Sequence, residues 1–379
     1  MDAENRNIGV NIVDLEKDIS DTKQVLELMK AQIAMLGEQI PVIETEEQKP
    51  EEFPGYNEKK VLVTGGAGAI GTNLSKRLAE LGAKVTIFDN LSSAYEWNLP
   101  VHKNIKFVKG DILNDEALKR VFKEKPDYIF HLAAHFANQN SVDSPETDLM
   151  INGIGILKVL QYANLVKVKR FVYSSSGCGV YGLDSKMPFE EHDISIKLHT
   201  PYQVTKLLGE LYTNYFYNLY NLPIVNARFF NVFGPGEVPG KYRNVIPNFF
   251  YWAMNGKSLP ITGTGEETRD WTYVEDIIDG LLAMGLEEKA IGESINLGSG
   301  REHKVIDMAT EINRLTGNNS GMKQVGERDW DVKKRLCSSI EKARRILGYE
   351  PKTTFEEGLG KVYEWFMENK HNINKNAEF

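Results

Sequence analysis

Val61-Leu62-Val63-Thr64-Gly65-Gly66-Ala67-Gly68-Ala69-Ile70-Gly71 passes from an apolar run into a glycine-rich turn, and a helical pattern follows over 72–81. Strand, glycine turn and helix in that order form a phosphate cradle. Missing Cβ atoms let the backbone turn tightly and approach a pyrophosphate, whose charge the helix N-terminus favours. Both G-x-G-x-x-G (Gly66, Gly68, Gly71) and G-x-x-G-x-x-G (Gly65, Gly68, Gly71) are present. The next apolar run, Lys84–Phe88, closes on Asp89, 21 residues beyond Gly68. A carboxylate there accepts hydrogen bonds from ribose hydroxyls and repels a 2′-phosphate. Asn90 follows it, so no cation is offered to such a phosphate. NAD is the expected cofactor, in preference to NADP.

Working outward, short apolar runs recur at 105–108, 128–130, 170–173 and 224–227, with helical patterns such as 146–164 between most of them. This alternation predicts an α/β fold: a Rossmann-type doubly wound parallel sheet with helices on both faces. After about residue 232 Gly and Pro loosen the pattern, as expected of a smaller C-terminal substrate-binding lobe. Before the strands, Ile12, Leu15, Ile19, Thr22, Leu26, Met29, Ile33, Leu36 and Ile40 form a heptad seam, followed by the charged stretch 44–52. That N-terminal helical extension either self-associates as a coiled coil or docks on its own catalytic domain. The expected boundaries are 1–57 for heptad helix and linker, 58–232 for the NAD-binding domain and 233–379 for the second lobe. Some segments of that lobe are expected to return to the first.

Composition narrows the function. The 379 residues carry a net charge of −8 and are 41% hydrophobic. They can bury a large core, yet offer no basic excess for nucleic acid. Two cysteines, Cys178 and Cys337, support neither a disulfide framework nor a cysteine metal site, and no metal is expected. No secretory signal and no uninterrupted apolar stretch of about 20 residues stand out, which points to a cytoplasmic protein without a membrane span.

Proton chemistry is expected at Pro201-Tyr202-Gln203-Val204-Thr205-Lys206, which sets a phenol and an ammonium on one face of a helix. A cation near a phenol favours the phenolate, and the charge of an oxidised nicotinamide acts the same way. Tyr202 is thus a candidate general base. Asp111, after the third strand, sits either near an adenine amino group or at a helix cap.

With these elements in hand, the chain from about 59 to 365 resembles the extended short-chain dehydrogenases/reductases, in the nucleotide-sugar epimerase/dehydratase group. It carries T-G-x-x-G-x-x-G, His131-Leu132-Ala133-Ala134, Ser174-Ser175-Ser176 ahead of Val180-Tyr181-Gly182, Y-x-x-x-K, Arg228–Pro235 and Thr268–Val274 in family order. The resemblance implies NAD contacts from Gly65, Gly68, Ala69, Ile70, Gly71, Asp89, Asn90, Asp111, Ile112, Leu132, Ala133, Ala134, Ser174, Tyr202 and Lys206. It implies that Asn231, Arg269 and Arg328 hold the nucleotide diphosphate, while Val245, Pro260 and Ile261 line the base pocket. Guanidinium forks suit phosphate oxygens. The Arg328-Asp329-Trp330-Asp331 stretch departs from R-x-G-D at Trp330.

The family places a serine or threonine hydroxyl just before V-Y-G, on the reacting sugar hydroxyl. Counting back without a gap lands on Gly177, so an extra residue is expected to bulge the turn and give the role to Ser176, with Ser175 second. Dehydratases and decarboxylases of the family carry a carboxylate where this chain has Cys178-Gly179. The expectation is therefore 4-epimerisation of a UDP-sugar by a homodimer, paired through helices near 146–164 and 201–220. Alternatives are 3,5-epimerisation with Cys178 as acid/base beside Lys241 or His135, decarboxylation or dehydration, and an NAD-sensing coiled-coil scaffold.

Overall fold

The computed structural model describes residues 53–329 and 331–379; the heptad seam, the linker to residue 52 and Trp330 lie outside them. Seven parallel strands form the main sheet: β1 (Lys60–Thr64), β2 (Lys84–Asp89), β3 (Ile105–Lys109), β4 (Tyr128–His131), β5 (Arg170–Ser176), β6 (Ile224–Phe229) and β7 (Ser294–Leu297). Their spatial order is β3-β2-β1-β4-β5-β6-β7. The chain works outward from β1 in one direction, then restarts at β4 and works outward in the other. This is the Rossmann-type doubly wound sheet expected, and its crevice lies at the β1/β4 switch.

Alternation along β1 shows why both faces are covered. Val61 and Val63 enter one apolar cluster and Leu62 the other. Helices of eight or more residues are numbered α1 (Ala69–Glu80), α2 (Asp115–Phe122), α3 (Pro145–Val166), α4 (Pro201–Tyr220), α5 (Val245–Met254), α6 (Val274–Leu286), α7 (Val305–Thr316) and α8 (Phe355–Glu368). Residues from α1 and α6 share the cluster of Val61, and residues from α2, α3 and α4 share that of Leu62. The first cluster continues without a break into α5, α7 and α8. Phe53–Phe379 accordingly form one unit, with β7 and α6 contributed from beyond residue 233. Tyr56 is fully buried, and its hydroxyl donates to Leu282 O at 2.8 Å.

Among the described residues α3 alone is long and apolar enough, by length and composition, to cross a membrane. Its apolar run is interrupted by Asp148, Asn152 and Lys158. Here Ile156, Val159, Leu160 and Ala163 are fully buried in the second cluster. At the far end of the sheet, buried Asp270 accepts hydrogen bonds from Ser299 N (2.7 Å), Gly300 N (3.2 Å) and Ser338 N (3.0 Å). The hydroxyls of Ser299 and Ser338 donate to it as well, at 2.6 and 2.5 Å.

Candidate active site

The C-terminal ends of β1, β4 and β5 meet the N-terminus of α4. Gly65 has φ +69°, and a Cβ there would lie 2.4 Å from Ala133 N. A Cβ on Gly71 would lie 2.4 Å from Gly65 O, so only glycine lets the turn fold back on itself. Gly68 caps α1 without any side-chain hydrogen bond, leaving the first N–H groups of Ala69, Ile70 and Gly71 to an anion. Asp89 is fixed by Ala67 N at 3.1 Å and Leu91 N at 2.8 Å, and burial pushes its pKa up despite those donors. Asn90 donates to Asp111 at 2.9 Å, while Asp111 also accepts from Leu113 N at 2.8 Å. Asp111 is not a helix cap: Asn114 caps α2. Ile112 is buried, and Leu132 and Ala134 flank the Ala133 backbone that Gly65 approaches. These residues fit a dinucleotide: tight glycine backbone, open helix N-terminus and an oriented carboxylate at the second strand.

Opposite the cradle, Thr200 caps α4 and Pro201 opens it, so Tyr202 and Lys206 project one turn apart. Lys206 Nζ donates to Ser174 O at 2.7 Å and sits 5.6 Å from the Tyr202 ring centre. Burial lowers its pKa to about 8, with Asp148 opposing. Tyr202 departs from the sequence reading. Its pKa is held above the ordinary phenol value, first by burial and then by the nearby Cys178 and Asp148; only the Ser176 hydroxyl works the other way. A desolvated lysine is a weak counterweight to that burial.

The three serines divide. β5 runs through Ser176, and Gly177–Val180 then makes one helical turn. Ser176 acts on the Tyr202 phenol, opposing the rise in its pKa, whereas Ser175 donates to Glu210 at 2.5 Å and joins the buried Glu210–Arg228 pair. Ser175 is therefore committed to a structural network, and the sequence-based second candidate is set aside. Cys178 is a free thiol that donates to Asn231 Oδ1 at 3.7 Å; burial pushes its pKa to about 11.

On the substrate side, Arg269 is held by Asp331 at 3.1 Å and Arg328 lies on an exposed segment. Val245 starts α5, half-buried against the core. Along Leu259–Thr262 burial alternates, so Ile261 packs into the core while Pro260 and Thr262 face away. That two-residue period leaves Ile261 its backbone alone with which to line a base pocket.

The sequence profile of the NAD dependent epimerase/dehydratase family matches residues 61–298. The chain belongs to that family. It is an NAD-dependent epimerase of the extended short-chain dehydrogenase/reductase type, and its cofactor is NAD. A UDP-glucose 4-epimerase of Mycolicibacterium smegmatis is 33% identical over 310 residues, covering 81% of this chain and 98% of its own. A solved epimerase of Methanothermobacter thermautotrophicus is 72% identical, with a TM-score of 0.86 over 87% of this chain and 98% of its own. The Bordetella bronchiseptica enzyme WbmF, solved with NAD+ and UDP, is 36% identical with a TM-score of 0.73, over 85% and 96%.

The sequence reading missed the support beneath this epimerase's lysine. Asp148, fully buried on α3, accepts from Thr205 Oγ1 at 2.6 Å and Asn152 Nδ2 at 2.9 Å, and lies 3.5 Å from His135 Nδ1. Burial raises its pKa against those partners. One signal was available: an acid immediately before the apolar run Leu149-Met150-Ile151.

Proposed function

We propose that this chain catalyses the 4-epimerisation of a UDP-sugar through a transient 4-keto sugar. The observation carrying the proposal is Lys206 Nζ, fixed to the Ser174 carbonyl, 5.6 Å from the Tyr202 ring centre, at the end of the strand that closes on Ser176 and beside a turn with no carboxylate at Cys178-Gly179. Bound NAD supplies the hydride acceptor and donor and, when oxidised, a positive charge. Tyr202 removes the C4 hydroxyl proton and later returns it. Ser176 donates its hydroxyl proton to the oxygen of the same sugar hydroxyl and so holds it in place. Lys206, fixed to the Ser174 carbonyl, sets the local potential and would hold the cofactor ribose. Asn231, Arg269 and Arg328 take the diphosphate, with Arg269 exchanging Asp331 for phosphate oxygens. Val245 and Pro260 border the base.

Cys178 has a resting thiol with a pKa of about 11, far from that of an acid/base working at neutral pH. Of the two donors a 3,5-epimerase could use, Lys241 is exposed beside Asp143 and Tyr242, and His135 Nδ1 lies 3.5 Å from the buried Asp148. The same reading makes the chain a homodimer: α3 exposes Leu149, Met150 and Ile154, and α4 exposes Val204, Leu211, Tyr215 and Leu219.

NMR of a UDP-sugar panel tests the chemistry. Inversion at C4 is expected for at least one substrate, with Tyr202→Phe slower by about 10²–10⁴-fold. Full activity in that variant overturns the mechanism.

A further inference from the structure

On the segment 331–338 the cations divide sharply. Lys334 pairs with Glu267 and Glu327 at 3.3 and 2.8 Å, Arg335 pairs with Glu302, and Asp331 is taken by Arg269. Lys333 turns inward instead. Its Nζ is enclosed, has no hydrogen-bond partner among the described residues, and lies 5.0 Å from the ring centre of Phe189. The groups acting on it electrostatically are Cys178 and Arg269, neither of them a carboxylate. Burial pushes its pKa down. An ammonium taken out of water without a counter-charge is costly, and an aromatic face offsets only part of that cost.

We propose that Lys333 receives a carboxylate carried by the hexose, so that the substrate class is a nucleotide-linked hexuronate. This rests on the reading of Ser176, Tyr202 and Lys206 as the place where the sugar ring reacts. Cys178 links the two: it lies two residues beyond Ser176 and packs against the cluster of Phe189, the ring that faces Lys333. The enclosure also favours a carboxylate. One point charge walled by Phe189 and a thiol matches a single anionic group, whereas phosphate oxygens are better met by the fork of Arg269.

Calorimetric binding to the full-length, NAD-loaded chain decides the matter, using UDP, a neutral UDP-hexose and the matching UDP-hexuronate. Wild type should bind the hexuronate at least about ten-fold more tightly than the hexose, as expected of one charge-assisted hydrogen bond. Lys333→Met should erase that preference and leave UDP affinity within about two-fold, the scale of a contact not lost. Lys333→Arg should retain the preference. Absence of the preference in wild type overturns the proposal without recourse to any variant. Equal weakening of UDP and hexuronate by Lys333→Met also overturns it, assigning the lysine to the diphosphate. Tyr202→Phe should keep the preference, so a failure of C4 inversion and a failure of carboxylate recognition are read separately.

Discussion

His131 ends β4 beside the cofactor crevice, enclosed between Phe171 and Tyr173, with Nδ1 2.7 Å from Thr64 Oγ1. Burial, reinforced by Lys206, pushes its imidazole down to about 3. Unfolded, the ring takes a proton near pH 6.5. Above that pH both states are neutral and the shift changes nothing. Below it the unfolded chain binds a proton the fold refuses, so stability falls by about 1.4 kcal/mol per pH unit until the folded pKa is reached. Urea unfolding at pH 7 and pH 5 should therefore show wild type losing about 2 kcal/mol more than His131→Asn, which can still bond Thr64. Equal losses would refute the neutral, buried histidine. The same desolvation governs Cys178, Tyr202 and Lys206, so the chemistry of this crevice is set more by exclusion of water than by any single neighbour.

Elements differ in how openly the sequence declares them. The β1–turn–α1 unit is legible because its signals are local: an apolar run, glycines at fixed offsets and an acid closing the second strand. Gly71→Ala, with its methyl against Gly65 O and Gly66 Cα, should weaken NADH binding at least about ten-fold and cost about 1–3 kcal/mol of stability. Fluorescence titration and denaturation measure both, and unchanged affinity would separate the turn from the cofactor. Tyr202 and Lys206 are legible for the same reason, four residues apart on one helix. Ser175 and Ser176 are not separable by spacing, since their roles depend on where β5 gives way to the turn at Gly177. Asp148 and Lys333 are hidden because their significance lies in long-range burial. The inward side chain of Ile261 is hidden as well, because the alternation of a four-residue strand shows only once its partner Met322–Val325 is in place.

At the scale of the whole molecule, α3 and α4 bury one face in the core and leave another apolar face outside. Light scattering should give twice the chain mass of 42.9 kDa, both for the full chain and for one lacking residues 1–45. In the shortened chain, Leu211→Asp with Leu219→Asp should give monomers, and a surviving dimer would move the interface elsewhere. Asp270 works on the same scale. Five donors from two returning segments saturate its carboxylate, so the ledge bearing Arg269 is riveted from below. Outward-facing groups above such a rivet are free to change one at a time, and descendants of this chain can adopt a different sugar while the frame beneath stays as it is.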